Sequence, residues 1–300
     1  MAASATIHHY IPQFYQRGFI ADNSGLIWVY EQGKQPRQIS VRKTGMDINL
    51  YGFTNRGKEF DTQTVESELA KIDSDGAKSI HKLEKGLLLN EYERRNLCKF
   101  VSIMWRRTMK HKKHAENMVA EMMQGFFEEH DDAWLRQRIQ ERVKSSAEME
   151  RIFNEQKAEL EKIREQYMQQ VPDFIFPNNT LRNSMFENVL YAMDWAYFKS
   201  TPDTEFLTCD DPVAFNKGSG LKDRNAVIIF PLSRKLLLQA MWITDYRNDF
   251  HQLKDIDIRT LNRYTVCNAH KQVYSSKKSS LMAEFVNKWI GTYESKGKAD

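Results

Sequence analysis

The sequence predicts an α+β fold: an N-terminal β-hairpin region and C-terminal strands forming a mixed or antiparallel sheet, a large central helical region and a protruding helical arm. Three observations carry this. β-rich runs such as Leu26 to Tyr30 and Val227 to Phe230 sit towards the two ends of the chain. Apolar residues at helical spacing fill the middle, and residues 111–170 are charge-dense and free of proline. No Pro/Gly/Ser-rich linker interrupts the 300 residues, so the chain reads as one domain, 1–300, with 111–170 as a helical insertion or arm within it.

The composition is that of a folded chain: 41% hydrophobic, 28% charged and 12% aromatic. A chain of this length buries roughly 75% of its unfolded surface and needs no disulfide staples. Its three cysteines, Cys98, Cys209 and Cys267, are odd in number and widely spaced. That argues against a disulfide framework or a cysteine-rich zinc site and suits a reducing compartment. Met1 to Tyr10 lacks the basic-then-apolar pattern of a signal peptide. The longest apolar run, Ala226 to Leu232, is too short to span a bilayer. The expectation is a cytoplasmic protein with no membrane partner. The net charge of +4 says little by itself, but it is unevenly distributed. Arg106 to His114 holds five Lys or Arg and no acid, whereas residues 115–170 hold eight Lys or Arg against thirteen Asp or Glu.

Taken in order, Asp22-Asn23-Ser24-Gly25 is a turn, and Leu26 to Tyr30 and Arg37 to Val41 form a hairpin across Gly33 and Pro36. Leu50 to Phe53 adds a short strand. Asp61 to Thr64 caps a helix with Val65, Leu69 and Ile72 on one face, and Glu66 and Asp73, seven apart, share a face. Asn90 caps the next helix, with Glu91 and Glu93 at its positive end and Leu97, Val101 and Met104 in its apolar stripe. Phe153, Leu160, Ile163 and Tyr167 mark an amphipathic arm helix that Pro172 and Pro177 end. Leu181 to Phe198 reads as a further helix. Val227 to Phe230 is a buried strand stopped by Pro231, and Leu236 to Leu238 pairs with it. Ile256 to Val266 reads as a helix, Gln272 to Ser275 as a strand, and Ser280 to Ile290 as a last helix.

Four groups of residues could carry chemistry. His8 and His9 are bases, proton shuttles or metal ligands near neutral pH; adjacent residues of an extended segment face opposite ways, so one ring goes to chemistry and the other to a structural bond, or both simply tie the N-terminal segment down. Glu66 and Asp73 could act as a general base or hold a metal, or be charges neutralised by Lys71 and Lys78. Arg106, Lys110 and Lys113 make one face of a continuous helix and could grip a nucleic-acid backbone or another phosphate, or be a solvated helix end. Asp210, in Asp210-Asp211-Pro212 after a strand, is placed either as a displayed carboxylate or as ordinary turn chemistry. No G-x-S-x-G, P-loop or G-x-G-x-x-G is present.

These segments together resemble a bacterial and phage family known as domain of unknown function 4238. The resemblance rests on His8-His9-Tyr10-Ile11-Pro12 through Phe19, on Glu66 to Asp73, on Arg107-Thr108, on Thr208-Cys209-Asp210-Asp211-Pro212-Val213 and on Phe230-Pro231-Leu232-Ser233. Met109 stands where the family pattern has Pro, Asp73 where it usually has Glu, and Cys209 and Asp211 where it has Ser and Asn. The resemblance implies that His8, His9, Glu66, Arg107 and Asp210 converge. Such a set could cleave phosphodiesters, with His moving protons, the carboxylates orienting His or holding a divalent metal such as Mg²⁺, and Arg107 stabilising negative charge. The expectation is therefore a nuclease-like hydrolase acting on RNA or DNA, of the kind used as a toxin or phage-defence effector. The alternatives are an interaction protein that binds a partner or forms a homodimer through 111–170, or a module that binds a nucleotide signal.

Overall fold

The computed structural model describes residues 6–22, 24–48, 50–51, 53–54, 60–61, 63–182, 185–216 and 220–292, with 53, 54, 60, 166–180 and 182 described by their backbone alone. The elements in chain order are β1 (Ile7–His9), α1 (Gln13–Arg17), β2 (Leu26–Tyr30), β3 (Arg37–Ser40), β4 (Met46–Ile48), β5 (Phe53–Thr54), β6 (Phe60–Asp61), α2 (Thr64–Glu84), α3 (Glu91–Arg106), α4 (Met109–Glu129), α5 (Asp132–Gln140), α6 (Ser146–Arg182) and α7 (Met185–Ala192), followed by β7 (Asp194–Lys199), β8 (Thr208–Cys209), β9 (Ala214–Phe215), β10 (Val227–Ser233), β11 (Leu236–Met241), β12 (Phe250–Gln252), α8 (Asp255–Asn268), β13 (Val273–Ser275) and α9 (Ser280–Trp289). The class is α+β, as the sequence predicts.

Two sheets organise the body. One has the order β12-β7-β11-β10-β9, with β12 and β7 parallel and the other pairs antiparallel. The other, β3-β2-β13-β8, is antiparallel throughout and joins the N-terminal hairpin to the C-terminal strands. Successive residues of a strand face opposite sides of its sheet, and the core follows that rule. Trp195, Tyr197, Ile228, Phe230 and Leu238 enter the core shared with α2, α3 and α7. Ala196, Phe198, Ile229 and Leu237 face the other way, onto Ile258 of α8. Farther along α8, Val266 meets the second sheet at Tyr30, Cys209 and Val273.

Helix starts follow local chemistry. Asp61 accepts from the backbone N–H of Gln63 and Thr64 at the entry to α2. Asn90 and Glu93 form a reciprocal capping box on α3. The two helices cross closely because Gly76 has no side chain: a Cβ there would lie 2.5 Å from the Phe100 ring.

The arm comprises α4, α5 and α6. Leu135, Ile139 and Phe153 form a small core of its own, against which Trp134 and Leu160 pack. Of the remaining expected stripe, Ile163 is 38% exposed, and the side chain of Tyr167 lies outside the described residues.

The structure corrects several expectations. Helix α6 continues past Pro172 and Pro177 to Arg182; each proline removes one backbone donor and crowds the preceding turn, but the helical backbone accommodates both. Leu181 to Phe198 is divided between the end of α6, the short helix α7 and the strand β7. Trp195 to Phe198 is buried on both faces, and such a run has no periodicity to separate strand from helix. Pro231 does not stop β10, which runs to Ser233 with a register shift between the two residues. Leu50 and Tyr51 lie in a turn, and the short strand there is β5.

Candidate functional site

The basic run 106–114 is interrupted. Helix α3 ends at Arg106, and Thr108 caps a new helix, α4, by accepting from the N–H of His111. The expected single phosphate-gripping face therefore does not form. Arg106 is buried, with its guanidinium on the carbonyl and hydroxyl of Ser102. Burial pulls its pKa down to about 10. Lys110 is 3.4 Å from the Asp211 carboxylate and donates to the carbonyl of Asn268. Lys113 is exposed and has no ion pair among the described residues.

Arg107 turns inward and is fully buried. Its guanidinium meets Asp73 of α2 through contacts of 2.9 and 3.2 Å. Glu66, one helix face along as the spacing predicts, lies within electrostatic reach of both. Lys71 and Lys78 do not neutralise this pair; they bind Glu68 and Asp75 instead. Oε2 of Glu66 is enclosed and takes no hydrogen bond among the described residues. Burial raises the Glu66 pKa, with Asp73 adding to the rise and Arg107 opposing it. Tyr51 is buried beside this group, feeling Arg107, Glu66 and Asp73 and also Tyr10.

His8 is a buried residue of β1, paired with Asp47 in the strand register. Its Nδ1 accepts from the backbone N–H of Tyr51 at 3.1 Å, and its ring packs 5.3 Å from the Tyr51 ring. That bond leaves Nδ1 as an acceptor anchoring the turn at Tyr51. His9 faces the other way, half-buried, with Gln13 Nε2 3.5 Å from its Nε2. Burial lowers the His9 pKa. The alternation expected of an extended His pair is present.

Asp210 is buried and accepts three backbone N–H bonds, from His270 at 2.8 Å, Lys271 at 2.8 Å and Gln272 at 3.0 Å. It thereby clamps the turn between α8 and β13. Burial pushes its carboxyl up to about 6 against the pull of those donors. Asp211 is pushed up to about 7, again chiefly by burial, with Lys110 opposing.

The expected convergence is thus only partial. Buried Arg107 pairs with half-buried Asp73, with Glu66 within electrostatic reach, beside Tyr51, to which His8 is also bonded, whereas Asp210 lines an open cleft of about 1120 Å³. Tyr10 joins the two places: it lines the cleft, feels Asp210 and Asp47, and neighbours Tyr51. The cleft walls come from the β2–β3 turn (Glu31, Lys34), β4 (Asp47), the first turns of α4 (Lys112, Lys113) and the clamped turn (His270, Lys271). Its acids are largely engaged: Glu31 holds Lys34, Arg37 and Gln272, and Asp210 holds three backbone donors. Lys271, like Lys113, is exposed and without an ion pair among the described residues. Sequence reasoning did not single out His270, Lys271 or Tyr51. The one available signal was a His-Lys pair in the turn between a helix and a strand.

Arg107 already supplies the cation facing Asp73 and Glu66, and among the described residues no three His, Cys, Asp or Glu side chains cluster as ligands. Nor is any helix of the described residues long and apolar enough to cross a membrane.

The segments His8 to Phe19, Thr208 to Val213 and Phe230 to Ser233 are brought together by the fold. Tyr15 of α1 touches both Thr208 and Pro231 through its hydroxyl and stacks on Phe230 at 5.3 Å. Searches of curated proteins and of solved structures return no match. The family model described as "Protein of unknown function (DUF4238)" matches residues 7–279, a span that includes all of these segments and the Glu66–Asp73–Arg107 cluster, and the chain belongs to that family.

Proposed function

We propose that this protein is a nuclease-like hydrolase whose substrate phosphates bind in the cleft between α4 and the 270–272 turn. The observation that carries the reading is that Lys113 and Lys271, two cations without ion pairs among the described residues, line the same cleft as His270 and Asp210. Cations on facing walls recognise a phosphate backbone without regard to base sequence. Proton transfer falls to His270, because an imidazole beside the substrate can exchange protons near neutral pH. In hydrolysis, water adds to phosphorus and the P–O bond to the leaving sugar oxygen breaks. That oxygen takes up a proton as the water gives one up. His8 and Arg107, which the sequence suggested for these roles, are both buried and adjoin Tyr51.

The test is to incubate the purified chain with single- and double-stranded RNA and DNA, with Mg²⁺ or with chelator. Binding is followed by anisotropy across salt concentrations. The expected result is binding that weakens as salt rises, is reduced about tenfold or more in Lys113→Ala/Lys271→Ala, and is accompanied by cleavage that His270→Ala abolishes. Absence of binding and cleavage for every nucleic acid, or cleavage unchanged in His270→Ala, would overturn the reading.

A further inference from the structure

A second cavity, of about 440 Å³, lies between α1, the C-terminal half of α2 and the turn joining β10 to β11. Phe14, Gly18 and Leu232, from two of the segments that carry the family resemblance, line it, and the reading of the cleft gives them no role. The fold builds this wall tightly. The backbone N–H of Arg234 donates to the carbonyl of Gly18 at 2.9 Å, and a Cβ on residue 18 would stand 3.2 Å from the Cβ of Ser233. That backbone bond brings the chain neighbours of the two residues, Arg17 and Lys235, to one wall, and both line the cavity.

The fold itself does not call for these cations. Ser233 pairs with Leu236, so Arg234-Lys235 is a two-residue turn, a length that favours Asn, Asp and Gly. Arg234 is answered by Glu205, which lies outside this cavity. Arg17 and Lys235 are exposed and have no ion pair among the described residues. Helix α1 has five residues and offers Arg17 little dipole to complement. His81 of α2 adds an imidazole to the lining, and Glu84 is the one acid among the lining residues. Like charges held in one concave site repel, and an anion seated between them turns that repulsion into attraction. The Arg fork and the Lys point charge both suit phosphate, and an imidazole carries positive charge readily near neutral pH. Beside these groups, Phe14, Ile80 and Leu232 give the cavity an apolar wall. We propose that this cavity binds a small phosphate monoester with an aromatic body, its phosphate on Arg17 and Lys235 and its ring against the apolar wall. The inference is independent of the reading of the cleft.

The test is isothermal titration of the full chain with phenyl phosphate, with inorganic phosphate and phenol as the two halves of that probe. The expected result is saturable binding of phenyl phosphate with a Kd below about 1 mM, several-fold weaker binding of inorganic phosphate and none of phenol. Arg17→Gln/Lys235→Gln, at exposed positions, should keep the denaturation midpoint of the wild type and bind phenyl phosphate at least about tenfold more weakly. Ala77→Glu keeps both cations but sets a carboxylate on the α2 side of the cavity, and it should weaken binding as well. Lys113→Ala/Lys271→Ala, which alters only the cleft, should bind phenyl phosphate as the wild type does. Absence of saturable binding, or phenol binding as tightly as phenyl phosphate, would overturn the proposal. So would binding that is unchanged in Arg17→Gln/Lys235→Gln, or that is lost in Lys113→Ala/Lys271→Ala.

Discussion

Tyr15 and Thr208, 193 positions apart in sequence, share a buried hydrogen bond of 2.8 Å between their hydroxyls. Tyr15 donates its own proton to the carbonyl of Pro231 at 2.7 Å. A phenol carries one proton, so Thr208 is the donor in the pair. The single side chain of Tyr15 therefore ties α1 to β8 and to the part of β10 where the register shifts beyond Pro231.

Replacing Tyr15 by Phe keeps the ring and its stacking on Phe230 but removes this tie. The Pro231 carbonyl and the Thr208 hydroxyl are then left buried without the partner that Tyr15 supplied. The expected loss is about 1–3 kcal/mol of stability, with Thr208→Val nearly additive to nothing further once Tyr15 is Phe. Denaturant midpoints of the two single variants and the double variant measure this coupling.

Asp210→Ala removes the acceptor for three backbone donors at once. Hydrogen bonds to a charged group contribute about 1.5–3 kcal/mol, so the variant should be destabilised by at least that much. Asn is a poor rescue, because its amide nitrogen would face backbone N–H groups. Amide exchange at Lys271 and Gln272 should speed up in either variant; unchanged protection there would show that the clamp is not what holds the turn.

Asp73→Asn should be costly and Glu66→Gln should not. Arg107 is 1% exposed, and withdrawing its carboxylate leaves a buried charge uncompensated, a change that typically costs about 3–5 kcal/mol. Glu66 has its pKa raised by burial. A carboxyl raised in the folded state contributes stability below its ordinary value of 4.5, and that contribution is lost as pH rises through the folded value. Stability curves against pH should therefore be flatter above pH 4.5 for Glu66→Gln, which at pH 8 should be at least as stable as the wild type.

His111 sets the acid limit from a different direction. Burial, with His114 and Arg106 adding to it, holds its pKa down at about 4 against an ordinary 6.5. A base depressed in the folded state is stabilising when neutral, so its contribution is present above pH 6.5 and is lost as pH falls from 6.5 towards 4. His111→Gln should reduce the loss of stability across that window. Its ring packs 5.1 Å from Trp105, so tryptophan fluorescence should report the wild-type titration.

Features decided within a few residues were legible in the sequence by itself. The Asn90–Glu93 capping box, the hairpin across Gly33, and the shared face of Glu66 and Asp73 depend on short-range geometry that residue type and spacing specify. The recurring His8–Phe19, Thr208–Val213 and Phe230–Ser233 segments likewise marked the family. Tertiary structure alone decided what these residues meet. Asp73 pairs with Arg107 rather than with a lysine on its own helix because α2 packs against α3. Trp195 to Phe198 is a strand because β11 and β12 pair with its two edges and core lies on both of its faces. The cleft draws its walls from turns, a strand and a helix spread between Tyr10 and Lys271, so no local pattern could announce it. Local conformational preference acts over one or two turns of chain, whereas burial and ion pairing depend on which distant segments packing brings together.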